Sequence, residues 1–248
     1  MIFHSWSSRP FTDPKCNIVR ESCRRFNIPM EVSVVDNFDW EGRNGCQAMT
    51  TWLAGIDPKE IVFFSDLWDV FFCGPASDIE RAFLDYGKPV LFSAESPPIN
   101  DDGSWGPIAP GPTRWHAING GGMMGYAGYL LAMLNDPTFW RPAAHNNQVA
   151  YRYWHADNPD ISTLDYYCRV WQCIYEHGGR GRSIDDALAI RDRRLYNSET
   201  DSYPCQMHGH GRQYRRLKLW WFQIPIPATA PRLSRAERAR STRQGNRR

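Results

Sequence analysis

Short apolar runs alternate with amphipathic stretches through the first 95 residues. Met1–Ser5, Glu31–Val35 (EVSVV), Ile61–Phe64 and Pro89–Ser93 (PVLFS) read as strands, being short, β-branched or aromatic, and bounded by polar residues. Between them, Asp13–Phe26, Gln47–Leu53 and Ala76–Tyr86 carry helical spacing. Asp13 offers an N-cap ahead of Pro14, and Gly55 a stop. Strands alternating with helices predict an α/β fold, a mostly parallel central sheet with helices on both faces. The second half is less regular. A Gly/Pro-rich loop over Asn100–Pro112 leads to Ala117–Gly122, which ends in three consecutive glycines. Tyr126–Leu134, Gln148–Trp154 and Asp185–Ile190 read as helical, and Val170–Ile174 as a short strand. With no internal repeat, the pattern predicts one compact domain over residues 1–224 and a tail over 225–248.

One run breaks the pattern. Ile61–Phe72 reads IVFFSDLWDVFF, almost wholly apolar apart from Ser65, Asp66 and Asp69. A carboxylate buried without a partner or a cation is costly, so the pair belongs at a rim. Ligands of open α/β sheets bind outside the carboxyl ends of the strands, which is where residues just past Ile61–Phe64 fall. Two hard oxygen donors there suit Mg²⁺ or Mn²⁺ together with the oxygens of a diphosphate. The alternative for the pair alone is a cap plus a surface salt bridge.

Composition narrows the class. Of the residues, 42% are hydrophobic, with 11 Trp, 11 Tyr and 12 Phe, enough for a sizeable core. No run of about 18 apolar residues predicts a membrane span. The start, MIFHSWSSRP, lacks the basic segment and long apolar stretch of a signal peptide, so a cytoplasmic location is expected. Seven cysteines, an odd number without a CxxC pair, fit reduced thiols. The net charge of +2 hides an asymmetry: from Pro225 onward there are seven Arg and one Glu, leaving the body at about −4. Such a basic tail either stays solvated or meets nucleic acid.

Six segments, taken in order, point further: the acidic pair, VLFSAE (Val90–Glu95), INGGGMMGY (Ile118–Tyr126), HNNQ (His145–Gln148), LDYYCRVWQ (Leu164–Gln172) and NSETDSYPCQMHGHG (Asn197–Gly211). The series resembles the glycosyltransferase domain of the procollagen lysyl hydroxylase family and related collagen-type galactosyl- and glucosyltransferases. That resemblance implies a GT-A fold, a UDP-sugar donor such as UDP-glucose or UDP-galactose, and Mn²⁺ or Mg²⁺. It makes residues 1–95 the nucleotide-binding half and 96–224 the half for donor sugar and acceptor. It implies Asp66, Asp69 and His208 as metal ligands, and Trp6 and Ser7 beside the uridine. Asn119 would face the donor sugar beside the tight backbone of Gly120, Gln148 would belong to the donor-binding site, and Gly209, His210 and Gly211 would approach the diphosphate.

The sequence also departs from that family. Asn146 and Asn147 stand where it carries acidic residues, and an amide is no general base at neutral pH. Either the transfer is retaining, with the departing phosphate taking the acceptor's proton, or Asp165, Glu95 or His145 substitutes, or activity is weak. Asn147 keeps the place of the catalytic position, and Asp165 is also a candidate for holding sugar or acceptor. Ala48 replaces a lysine expected to meet the diphosphate, with Arg180 or Arg182 as replacements, and SPPINDDGSW replaces the acceptor-side aromatic pattern. The expectation is a metal-dependent hexosyltransferase of bacterial or viral type. Its acceptor would be a hydroxylated macromolecule, such as hydroxymethylated DNA bases reached through the Arg-rich tail or a hydroxylysine-like residue. The alternatives are a catalytically degenerate nucleotide-sugar binder and a metal-dependent phosphodiesterase.

Overall fold

A computed structural model describes residues 1–36, 39, 41–97, 103–175, 183–209 and 213–225. Part of the Asn100–Pro112 loop, Arg180, Arg182, His210, Gly211 and the Arg-rich tail beyond Pro225 lie outside the described residues.

The first half follows the alternation closely. Strand β1 (Ile2–Ser7) is followed by a 3₁₀ turn at Pro14–Cys16, capped by Asp13 as its spacing predicts, and by helix α1 (Asn17–Phe26). Then come β2 (Met30–Val34), α2 (Arg43–Leu53), β3 (Ile61–Ser65), β4 (Val70–Phe72), α3 (Ala76–Tyr86) and β5 (Val90–Glu95). The second half adds β6 (Ala117–Tyr126), α4 (Ala127–Leu134), α5 (Asn147–Asp157), β7 (Ser162–Leu164) and β8 (Trp171–Cys173). It closes with β9 (Leu188–Arg191), β10 (Arg194–Asn197), β11 (Gln206–His208) and α6 (Tyr214–Gln223).

The central sheet has the order β2-β1-β3-β6-β5-β7. All of its strands run one way except β6, which pairs antiparallel with both β3 and β5. Because β6 comes from the second half and sits between two strands of the first, the two halves share one sheet. Along β3, side chains alternate between faces. Phe64 enters a core with Met49 of α2, Leu130 of α4 and Trp154 of α5. Phe63 enters the opposite core with Val19 of α1 and Ile79 of α3. Each such fully buried aromatic stabilises the fold by roughly 1.5–3 kcal/mol. The result is the three-layer arrangement expected, with helices on both faces.

One reading is corrected. Asp185–Ile190 is a short 3₁₀ turn, Ile184–Ala187, that runs into β9 instead of a helix. Its Asp185 carboxylate is engaged by Trp220 Nε1 at 2.8 Å and by Arg216, a tertiary demand that helical spacing does not reveal. The glycines of Ala117–Gly122 form the interior of a ten-residue strand. Among the described residues, no helix is long and apolar enough to cross a membrane.

Candidate active site

Strand β3 ends at Ser65, and the chain turns. Asp66 N donates to Gly121 O at 2.8 Å, pinning the first aspartate beside the middle of β6. Leu67 packs inward, and β4 then joins a small second sheet of order β4-β11-β8. In that sheet His208 lies opposite Val70. Gly209 N donates to Asp69 O at 2.9 Å, which fixes the second aspartate against the same strand. The imidazole therefore arrives between the two carboxylates: Nε2 is 3.3 Å from Asp66 Oδ2 and 3.6 Å from Asp69 Oδ1.

Burial pushes the His208 pKa down, but the carboxylates of Asp69 and Asp66 and the Cys173 thiol outweigh it and raise it well above the ordinary imidazole value. Two carboxylates so placed call for positive charge. An imidazolium supplies it, and a divalent ion with a neutral imidazole would supply more. One ligand atom from each of Asp66, Asp69 and His208 lies within 4.8 Å of the others. A Cβ added at Gly121 would overlap both Asp66 Oδ2 and His208 Cε1, so glycine keeps this cradle open. Two carboxylate oxygens, one imidazole and room at an exposed rim fit Mn²⁺ or Mg²⁺.

Beside the cradle, β6 leaves its register with β5. Met123 pairs with Phe92 and Ile118 with Ala94, so Asn119–Gly122 face Ser93 alone. Side chains supply the bonds that this bulge forgoes. Asn119 Oδ1 accepts from Gly121 N at 3.0 Å, and Gln148 Oε1 accepts from Gly120 N at 2.8 Å. Their amide nitrogens donate to Glu95, Asn119 Nδ2 at 2.9 Å and Gln148 Nε2 at 3.1 Å. Arg152 closes the network, donating to Glu95 Oε1 at 3.1 Å, to Ile118 O and to Trp105 O. Burial raises the Glu95 pKa, against the opposing pull of Arg152 and Asn119. Glu95 thus aims two amides at the glycine stretch, with both of its oxygens engaged.

Trp6 lies half-buried at the end of β1, edge-on to Phe64 at 5.4 Å. Its Nε1 presses on Gly45, where a Cβ would overlap it. Ser7 is buried, its Oγ accepting from Arg9 N at 3.1 Å. Asn146 caps α5, its Oδ1 accepting from Val149 N at 2.9 Å, and Asn147 opens that helix with its side chain against Gly42. His145 is exposed, and Gly209 is buried behind His208. Asp165 belongs elsewhere. It is fully buried, and its two oxygens accept from Tyr86 Oη and the backbone of Arg169, Val170 and Trp171 at 2.7–2.8 Å. It shapes the loop into β8, and the role of sugar or acceptor contact given to it above is withdrawn.

Sequence reasoning missed two supporting residues. Arg152 follows Gln148 by one helical turn, so i,i+4 spacing on α5 would have found it. Cys173 Sγ lies 4.0 Å from His208 Nδ1 and 3.3 Å from Ser93 Oγ. All seven cysteines are buried, and none lies in a disulfide.

A mixed sheet with one reversed strand, and an Asp-Asp-His cradle at the carboxyl end of its central strand, is the architecture of a GT-A glycosyltransferase. The chain belongs to the PLOD glycosyltransferase-domain family, whose model matches residues 18–221. It resembles in fold the galactosyltransferase LgtC, solved in complex with donor and acceptor sugar analogues, at 10% identity and a TM-score of 0.51, over 92% of this chain and 98% of that one. A glycosyltransferase involved in glycosylation of the major capsid of PBCV-1 aligns at 11% identity and a TM-score of 0.48, covering 90% and 98%. Uncharacterized protein R699 of Acanthamoeba polyphaga mimivirus is 24% identical over 161 residues, 64% of this chain. The chain spans about a third of the length of that relative, 33%.

Proposed function

We propose that the domain transfers a hexose, glucose or galactose, from a UDP-sugar to an acceptor hydroxyl, with Mn²⁺ or Mg²⁺ held by Asp66, Asp69 and His208. The observation that carries this is the convergence of those three side chains beside a glycine strand that a Cβ would close. When bound, the ion neutralises charge on the departing diphosphate. The chain itself supplies the rest. Trp6 gives the uracil a flat apolar wall, while Gly120, Gly121 and the amides of Asn119 and Gln148 offer a narrow polar wall to the sugar. Asn147, at the start of α5, lies on the acceptor side. Gly209, His210 and Gly211, next in sequence after the imidazole, are assigned to the diphosphate on the family resemblance alone.

The transfer is proposed as retaining. Asp165 is enclosed in its loop, and Glu95 is tied to Asn119, Gln148 and Arg152. With both carboxylate candidates engaged, the acceptor proton goes to the departing phosphate. The acceptor is proposed to be a hydroxylated macromolecule. Hydroxymethylated DNA bases and a hydroxylysine-like residue are its candidates, and a cytoplasmic location suits the former.

Incubation with UDP-glucose or UDP-galactose and Mn²⁺, with and without EDTA, tests the reading through UDP release. Slow metal-dependent release without acceptor is expected, and the α-anomer should be seen by NMR in the released hexose. Binding of UDP without turnover would make the domain a degenerate binder, as Asn146 and Asn147 would allow. No UDP binding at millimolar concentration sinks the proposal, and phosphodiester cleavage without a sugar donor would move it to another class.

A further inference from the structure

A second cleft, of about 360 Å³, opens at the other end of the small sheet. Strands β8 and β11 run side by side in parallel, from Arg169 and Cys205 at the cleft to Cys173 and His208 at the metal cradle. The three residue steps from Cys205 to His208 span about 10 Å of strand.

The wall of the cleft holds three arginines and two aspartates. Asp78 binds Arg81 at 2.6 Å through one oxygen and Arg194 at 2.7 Å through the other. Arg169 pairs with Asp85 at 2.5 Å. Asp201 accepts from Tyr196 Oη at 2.7 Å, and the Thr200 and Ser202 hydroxyls bond each other at 2.8 Å. Arg81 and Arg194 thus share Asp78, Arg169 draws Asp85 from beyond the wall, and Asp201 adds an acceptor bonded to Tyr196, so the wall and its partners together set three arginines against three carboxylates. What remains is a fixed array of donors and acceptors, flanked by two rings. Tyr167 is 44% exposed, and Tyr203 is held by a bond from its hydroxyl to Asp192 at 2.9 Å. Planar faces beside paired donors and acceptors, with the arginines set against carboxylates, match a neutral polyhydroxylated ligand: the apolar face of a pyranose lies on a ring, and its hydroxyls meet charged hydrogen-bond partners.

We propose that this cleft is a saccharide-binding subsite, holding neutral sugar units of the acceptor or product at a distance from the reacting hydroxyl. It rests on the glycosyltransferase reading for its purpose but not for its chemistry. Tyr167 supplies the stacking face, and Arg81, Arg169 and Asp78 orient the hydroxyls. The pairing within the wall keeps these groups in place before a sugar arrives.

An array displaying neutral, sulfated and phosphorylated glycans, probed with the full chain, tests this directly. The wild-type protein should retain a subset of neutral glycans. Tyr167→Ala should lower that retention about tenfold, the loss of one stacking face and its burial. Tyr167→Phe should retain binding. Asp69→Ala should bind the array as wild type does, and Tyr167→Ala should release UDP from UDP-sugar at the wild-type rate without acceptor. Retention of only sulfated or phosphorylated glycans, no neutral glycan retained, or unchanged retention by Tyr167→Ala each overturns the proposal. Failure of UDP to bind the wild-type protein, with glycan retention intact, would count against the transferase reading and leave the subsite standing.

Discussion

Glu95 and Arg152 form an ion pair at 3.1 Å in which the two side chains are 3% and 1% exposed. The pair lies behind the active site, and through Asn119 and Gln148 it holds Gly120 and Gly121 against the metal cradle. Replacing Arg152 by Met leaves the Glu95 carboxylate buried without its charge partner. Breaking a buried pair from one side costs about 3–5 kcal/mol. Arg152→Met should lower the unfolding free energy by that amount, moving the denaturant midpoint down with it, and weaken UDP-sugar binding as the amides lose their anchor. A variant with unchanged stability would show that the pair is not closed in solution.

The same carboxyl gives the fold a pH signature. Burial raises the Glu95 pKa above its ordinary 4.5, even with Arg152 opposing. A carboxyl raised in the folded state contributes stability that is complete below the unfolded pKa and is lost as pH rises through the folded one. Stability of the wild type minus that of Glu95→Gln should therefore fall as pH rises above 4.5, then level off. Denaturant titrations at half-unit pH steps read this difference. If it rises instead, the attraction of Arg152 outweighs burial.

Gly121 stands where the two ligand-bearing segments meet, and its missing side chain is the space between Asp66 and His208. Gly121→Ala should fold, at an overpacking cost of about 1–3 kcal/mol. Its Mn²⁺ affinity by calorimetry should drop at least tenfold, because the methyl spreads the carboxylate from the imidazole. Gly125→Ala is a poor control, since its Cβ would meet Pro89 O at 2.6 Å. Gly55→Ala is the better control, since its Cβ would meet only Trp52 O at an ordinary 3.7 Å.

Much of this was legible in the sequence because the strands are short and apolar and their helices are amphipathic. The alternation places β1, α1, β3, α3 and β5 within a few residues of their bounds, and the order of segments identifies Asp66, Asp69 and His208 as one set. Reversal of β6 was not legible. Strand direction depends on which edge a segment docks against, and INGGGMMGY carries no mark of it. The buried network around Glu95 was half-legible: Arg152 sits one turn from Gln148, but its partner comes from β5 through tertiary packing. Asp165 misled for a plain reason. An aspartate that accepts three backbone N–H groups and one that meets a ligand look identical in sequence.

Asp69 and Asp165 accordingly should respond in opposite ways to loss of their carboxylates. Asp69 is 25% exposed, and its contact to Gly209 runs through its backbone carbonyl, which alanine keeps. Asp69→Ala should lower stability much less than Asp165→Ala, because its carboxylate is partly exposed and Asp66 still faces the imidazole. The variant should lower metal-dependent UDP release at least ~100-fold, since it removes a ligand from the ion. Asp165→Ala instead strands three buried N–H groups and the Tyr86 hydroxyl. Leaving buried donors unmatched costs roughly 1–3 kcal/mol each, so a loss of at least ~3 kcal/mol is expected, with cooperative unfolding at lower temperature. Asp165→Asn restores an acceptor at one oxygen position and should recover part of that loss. Measured together, thermal midpoints and UDP release separate the two roles. A stable, inactive Asp165→Ala would return that residue to the active site, and an unfolded Asp69→Ala would make the acidic pair structural.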